Sequence, residues 1–452
     1  LDFMAQQGDS FDLDSEQFAA GHSLPGGSNV AWLATLFTHT RKQWKAFGGI
    51  APHDVAVGTH YLVLAKEKER EQNPEWATEQ HRGMTSVTDA ELLSRLQQYL
   101  ALAQSAYRST EDEITANLEA HGSSLLRFAP GSSVGQPSYF IAANVETKTL
   151  QIVVRGSKSF SDAVTDLCGT PADFHSGVQA HEMMAKSALW LASQLPMDVL
   201  SQHAQKGFQI HVIGHSLGAG VASLLSFVLH GSPDKVMADA VRCFGFGVPA
   251  CADQQLAKLC EPFVTSVVCG HDVVPRMNLH SLAMHRKALS EFQWAEAARA
   301  DLVAASQEKL ADLARIGRAF VPKKVSQSNA ATLATTAGKT LGMALLGGAA
   351  RALEAATTPK GTTSKSKDIV DDVAGPASAP PSADPVDDEP DIALARLVVP
   401  GRIIHLWRPT GDGDWNAHWV SPDFLQGFSL SRSLLQDHIC GSYGVALARH
   451  AQ

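Results

Sequence analysis

The sequence predicts a mostly parallel β-sheet wrapped by helices, on three observations. Apolar runs of strand length alternate with helical patterns through the middle of the chain. One of those runs ends in a glycine-flanked tight turn that opens a helix. The alternation then stops at a long stretch of different composition and resumes near the end of the chain.

The strand-like runs are Tyr139 to Val145, Leu150 to Val154, Phe208 to Gly214, Val241 to Val248 and Thr265 to Cys269. Near-continuous apolar character is expected of strands buried on both faces, as in parallel sheets. Between them, Val178 to Leu195 has a helical pattern, and ahead of them Thr88 and Glu91 have capping-box spacing before Leu92, Leu96, Leu100, Ala103 and Tyr107. That spacing predicts a packed helix from about Asp89 to Tyr107. Residues 1–87 read as a helical lead-in, 88–287 as the first part of the core, 288–395 as an insertion and 396–452 as the final strand and C-terminal helix.

Within the insertion, Ser290 to Phe320 reads as a helix, and Ala331 to Leu353 is rich in Ala, Gly and Leu. The latter suits either a helical cover packed on the protein or an interface-inserting segment. From Thr357 to Pro390, Pro, Ser, Thr, Lys and Asp dominate, leaving too little apolar surface to offset the entropy of ordering. Disorder is expected there. Strand character returns in Arg402 to Trp407, so the insertion interrupts one core.

The 452 residues are 44% hydrophobic and 18% charged, a globular composition with ample material for a core. A net charge of −9 and the lack of a polybasic cluster argue against nucleic-acid binding. The six cysteines lack metal-type pairing, and several sit in apolar runs, which predicts free thiols in a reducing compartment. Leu1 to Ser10 has neither a basic start nor an apolar run, and no stretch reaches about 18 apolar residues. The expectation is a cytoplasmic or peripheral-membrane protein.

Ile210 to Ile213, then Gly214-His215-Ser216-Leu217-Gly218, then a helical Val221 to Leu225, have the form of a nucleophile elbow. A strand entering a helix through so tight a turn exposes its central residue, and glycines on either side remove side chains that would collide. Ser216 is the candidate nucleophile. Such a serine needs a base and an acid, in the chain order serine, carboxylate, histidine. Asp272 follows the apolar run ending at Cys269 and precedes Pro275, which places it just beyond a strand. His405, His418, His438 and His450 all lie far enough downstream to be the base. His405 sits in a strand-like run, where a packed core role is expected; His438 follows the last strand and is the preferred base. Asp437 is not expected to orient its own neighbour, because adjacent side chains diverge. Oxyanion donors are expected from the backbone N–H of Leu217 and from Ser157, which follows the strand ending at Val154.

Four segments together resemble the class 3 lipases: Val154 to Ser157 with Asp162 and Asp166-Leu167, His175 to Val178, Gly214 to Gly220, and Asp272 to Arg276. Within that family the sequence is most similar to the diacylglycerol lipases, through Asp54 to Gly58, Pro400 to His405 and Asp437-His438. The resemblance spans about Pro52 to Tyr443. It implies an α/β-hydrolase fold, Ser216, Asp272 and His438 as a triad, Ser157 as an oxyanion residue, and a regulatory loop where the insertion falls. It further implies hydrolysis of acylglycerol esters at a membrane or micelle surface without a required cofactor; a response to calcium is not legible in these residues. Phospholipase A1 or triacylglycerol lipase activity would use the same residues, and a lipase-like scaffold that binds without catalysis is the remaining alternative. Ser157 stands where threonine is commoner in the family. The four membrane-spanning helices that precede the domain in animal members are not seen in this sequence.

Overall fold

A computed structural model describes residues 52–108, 110–131, 133, 135–157, 170–294, 296–297, 396–409 and 413–450. Contacts divide the chain into two units, Leu1–Phe292 with Ala393–Gln452, and Gln293–Ile392; every element named here belongs to the first. The expected disordered stretch, the apolar Ala331 to Leu353 segment and most of the lead-in fall outside the described residues.

Among the described residues, four helices come first: α1 (Pro52–Gln72), α2 (Trp76–Gln80), α3 (Ala90–Ser105) and α4 (Glu111–Ala120). The strands β1 (Ser124–Ala129), β2 (Tyr139–Asn144) and β3 (Thr149–Val154) follow, then a small hairpin of β4 (Pro171–Asp173) and β5 (Gln179–His181). Next come α5 (Glu182–Gln194), α6 (Met197–Gln205), β6 (Gln209–His215), α7 (Leu217–His230), α8 (Lys235–Ala240), β7 (Val241–Phe246), α9 (Gln254–Leu259), β8 (Val264–Cys269) and α10 (Leu279–Glu291). The chain closes with β9 (Arg402–Trp407), β10 (Asn416–Val420) and α11 (Cys440–His450).

One eight-stranded sheet runs in the order β1-β2-β3-β6-β7-β8-β9-β10. Strands β3, β6, β7, β8 and β9 are parallel, and β1, β2 and β10 are antiparallel to their neighbours. Every residue of β2 and β3 is buried. Alternate residues of the parallel strands enter opposite cores, as a period of two requires. Ile152, Val212 and Cys243 face one core with α5 and α7, while Val153, Ile213 and Phe244 face the other with α3 and α11. Helix α7 is buried from Gly218 to Ser226, which explains why its sequence is apolar on all sides. Its Ser223 and Ser226 hydroxyls donate to carbonyls four residues back, at 2.8 Å each, so neither is an orphan in the core.

Two local expectations are corrected. Asp89, not Thr88, caps α3, its carboxylate accepting from the Leu92 amide at 3.0 Å. The reciprocal capping box belongs instead to α4, between Thr110 and Glu113. The helix expected over 178–195 begins only at Glu182, because Gln179 to His181 pairs with β4 and the Gln179 amide donates to Asp253 at 2.6 Å.

Candidate active site

Helix α7 begins at Leu217 directly after β6, so Ser216 turns the chain through a positive φ of 59° with ψ of −134°. A non-glycine residue there is strained by on the order of 1–3 kcal/mol and needs surroundings that hold it. The Ser216 amide donates to the Phe246 carbonyl at 2.8 Å, and the turn is packed without space for side chains. A Cβ on Gly214 would lie 2.5 Å from the Gly218 carbonyl oxygen, and one on Gly218 would strike the Val154 carbonyl and lie 2.8 Å from the Gly156 nitrogen. Both glycines of the five-residue motif are therefore required by contact.

Ser216 Oγ lies 2.9 Å from His438 Nε2, and His438 Nδ1 lies 2.9 Å from each carboxylate oxygen of Asp272. All three side chains are almost wholly buried. The carboxylate can only accept, so Nδ1 carries the proton and Nε2 is free to accept from the serine hydroxyl. The structure thus brings Ser216, Asp272 and His438 into one hydrogen-bonded chain. Leu217 starts α7, and its amide is one of the first-turn donors without an acceptor inside the helix. The segment carrying Ser157 abuts the elbow, because a Cβ on the preceding Gly156 would lie 3.3 Å from Ser216 Cβ.

The acid loop is held from several sides. Tyr443 of α11 donates its hydroxyl to Asp272 Oδ2 at 2.5 Å, and the Val274 amide donates to Oδ1 at 2.9 Å. Burial and the adjacent carboxylate keep the Tyr443 phenol protonated, well above the usual range. Asp437 reaches back across the site: its Oδ2 accepts from the His271 amide at 2.8 Å and from the Ser433 hydroxyl at 2.9 Å. The adjacent pair Asp437-His438 therefore clamps the adjacent pair His271-Asp272. Burial pushes the Asp437 carboxyl up to about 6. His405 Nε2 donates to the Gly270 carbonyl at 2.8 Å and its Nδ1 faces His81 Nε2 at 2.8 Å, so His405 props the acid loop from within the core. His418 pairs with Ser86 and Trp407, and His450 with Trp415 and Val87 backbone carbonyls, leaving His438 as the one downstream imidazole of those four that bonds Ser216.

Sequence reasoning missed three supports of His438. Its backbone carbonyl accepts from His215 Nε2 at 2.9 Å, and His215 Nδ1 in turn accepts from the Tyr107 hydroxyl at 2.9 Å. Burial, then the neighbouring His438, holds the His215 imidazole down to about 3, so it stays neutral and keeps this donor-acceptor polarity. Gly247, at φ 60°, leaves room for the ring: a Cβ there would lie 2.8 Å from His438 Cε1. The Gly247-Val248-Pro249 run after a strand was the only local signal for that turn.

The sheet order, with the strained serine at the turn from β6 into α7, defines an α/β-hydrolase fold. Residues 151–281 match the family Lipase (class 3). It is similar to Diacylglycerol lipase-alpha of Homo sapiens, 33% identical over 171 residues, which cover 35% of this chain and 16% of that protein. Diacylglycerol lipase-beta of Mus musculus is 29% identical over 153 residues, covering 32% and 22% of the two chains. A lipase of Rhizomucor miehei is 28% identical over 120 residues, covering 26% and 33%. The chain thus spans about a sixth of the length of the human relative. Ser157, Ser216, Leu217 and Asp272 fall inside the family match, whereas His438 lies beyond it and is tied to the site by geometry. Among the described residues no helix is long and apolar enough to cross a membrane, and no cluster of His, Cys, Asp or Glu is arranged to hold a metal. The five described cysteines are free and buried.

Proposed function

We propose that the protein is a serine-dependent lipase that hydrolyses acylglycerol esters, with diacylglycerol as the preferred substrate and monoacylglycerol and free fatty acid as products. The observation that carries this reading is the continuous chain from Ser216 Oγ through His438 to Asp272, each link 2.9 Å. In the reaction, Ser216 attacks the ester carbonyl while His438 Nε2 takes its proton. The Leu217 amide and Ser157 stabilise the oxyanion, and His438 then gives its proton to the leaving alcohol. Water attacks the acyl-serine with His438 again as base, releasing the fatty acid. Asp272 orients the imidazole and stabilises the imidazolium, and is itself held by bonds from the Tyr443 hydroxyl and the Val274 amide. This sequence of steps requires no cofactor.

Diacylglycerol is favoured by the two diacylglycerol lipases among the relatives, while the relative of Rhizomucor miehei is a lipase without a named substrate; triacylglycerol or phospholipid hydrolysis by the same residues is the second reading. Lipid presented at a membrane or micelle surface is the partner in either case. Product analysis with purified protein on mixed micelles of diacylglycerol, triacylglycerol and phospholipid decides between them. The proposal expects monoacylglycerol and fatty acid from diacylglycerol at the highest turnover; faster release from phospholipid or triacylglycerol would replace the substrate assignment.

A further inference from the structure

The strand ends opposite Ser216 carry a polar row where an apolar one is expected. On one face of the sheet, Gln151, His211 and Arg242 are direct cross-strand partners on β3, β6 and β7, and Thr265 and Arg402 are partners on β8 and β9. Two residues further along the same strands, the same face presents Val153, Ile213, Phe244, Val267 and Ile404, all in the core. The row forms the floor of a cleft of about 810 Å³ beneath α3. His211 is five residues ahead of Ser216, so the cleft lies roughly 16 Å from the serine along the strand.

The charges of this cleft are not balanced by the protein. Arg242 is fixed by Nη1 bonds to the Asp239 and Val241 carbonyls, at 2.9 and 2.7 Å, and has no carboxylate partner among the described residues. Arg402 lies with its Cζ 3.8 Å over the Trp419 ring and likewise has no carboxylate partner among them. Arg95 is paired with Glu91, and Glu261 sits on the exposed rim. His211 is 5% exposed and bonds through Nδ1 to the Tyr99 hydroxyl. With the Tyr99 hydroxyl donating to Nδ1, the ring carries its hydrogen on Nε2, which has no acceptor among the described residues, in a side chain that lines the cleft. Burial, then Arg95 and Arg242, holds the His211 imidazole down to about 3, so the ring is a neutral donor or acceptor in the cleft.

We propose that this cleft is a second ligand site that binds a phosphomonoester, either on a small soluble molecule or as a lipid headgroup. Three arginines against Glu91 and Glu261 leave the cleft an excess of positive charge, the planar forks of the two guanidiniums without a carboxylate partner suit phosphate oxygens, and the His211 Nε2–H adds a neutral donor. Polar side chains and the Trp419 and Tyr99 rings around the cleft suit a polar organic body on the phosphate. The proposal does not depend on the chemistry assigned to Ser216.

The test is calorimetric titration of the full chain with glycerol 3-phosphate, alongside co-sedimentation with phosphatidylcholine vesicles that contain or lack phosphatidate. Saturable binding in either arm, weakened about tenfold or more by Arg242→Gln and by Arg402→Gln, supports the site, and the arm that binds identifies the source of the phosphate. Glycerol is expected to give no heat. In nuclear magnetic resonance spectra the His211 ring signals should move on binding, while the thermal midpoint and the turnover of a short soluble ester stay unchanged in both arginine variants. Binding in neither arm, or binding that both variants retain at full strength, overturns the proposal.

Discussion

The two ends of the sheet treat polar groups in opposite ways. Around Ser216, polar atoms satisfy one another: Tyr107 to His215, His215 to the His438 carbonyl, His438 to Asp272, and Tyr443 and Val274 to the same carboxylate. At the far end, Arg242 and Arg402 have no carboxylate partner among the described residues, although Arg242 bonds two backbone carbonyls and Arg402 lies over the Trp419 ring. A closed network fixes geometry before substrate arrives, which suits a site where atoms must meet within tenths of an ångström. An open one holds its electrostatic potential in reserve for something that is not part of the chain. The closed end should therefore be sensitive to single-atom changes, and the open end tolerant of them until its ligand is present.

The most damaging change at the closed end is His438→Ala, expected to lower turnover at least about a thousandfold with folding intact. Combining it with Ser216→Ala should add little, because the two act as one unit; additive losses would mean that they do not share a step. His405→Ala is the contrast, since His405 bonds Gly270 and His81 and not the serine: it should lower the unfolding midpoint more than it lowers kcat. Activity lost in His405→Ala with stability kept would reverse the choice of base.

Tyr443→Phe deletes one oxygen and one hydrogen bond to a buried carboxylate, an interaction worth about 1.5–3 kcal/mol. A fall in kcat of roughly ten- to a hundredfold with little change in KM is expected. An unchanged kcat would show that the Val274 amide and His438 suffice to hold Asp272.

A further test separates stability from chemistry by pH. His211, His215 and His271 are held to about 3, and His81 and His285 to about 4, each chiefly by burial. A histidine depressed on folding stabilises fully above its unfolded value of about 6.5, and that contribution is lost as pH falls toward its folded value. Asp437, raised to about 6, acts in the other direction, its contribution present below the unfolded value and lost as pH rises through 6. At pH 5 these six groups should together take up about four protons on unfolding, measurable from the slope of denaturation free energy against pH. A flat slope between pH 4 and 6.5 would mean that the buried imidazoles are protonated in the folded protein.

The central strands were legible because burial on both faces demands uninterrupted apolar residues; β9 was expected at 402–407 and is found there. Strands β1 and β10 at the sheet edges were not legible. One contains Arg127 and a register shift, the other His418 beside Trp419, and half-covered edges impose no clean pattern. Ser216 and Asp272 could be named from local turns, since each follows an apolar strand. His438 was a choice among four histidines, because the base is fixed only by where the chain returns after a long excursion. Tyr107, His215, Tyr443 and Asp437 act across separations of 108 to 223 residues, and no local pattern encodes such contacts.

The most direct test of the central claim is labelling with a fluorophosphonate probe, followed by mass spectrometry of the modified peptide. The phosphonyl group should appear on Ser216 alone, with labelling abolished in Ser216→Ala and strongly slowed in His438→Ala while both variants remain folded. An unlabelled wild-type protein, or a label carried by another residue, would contradict the assignment of Ser216 as the nucleophile.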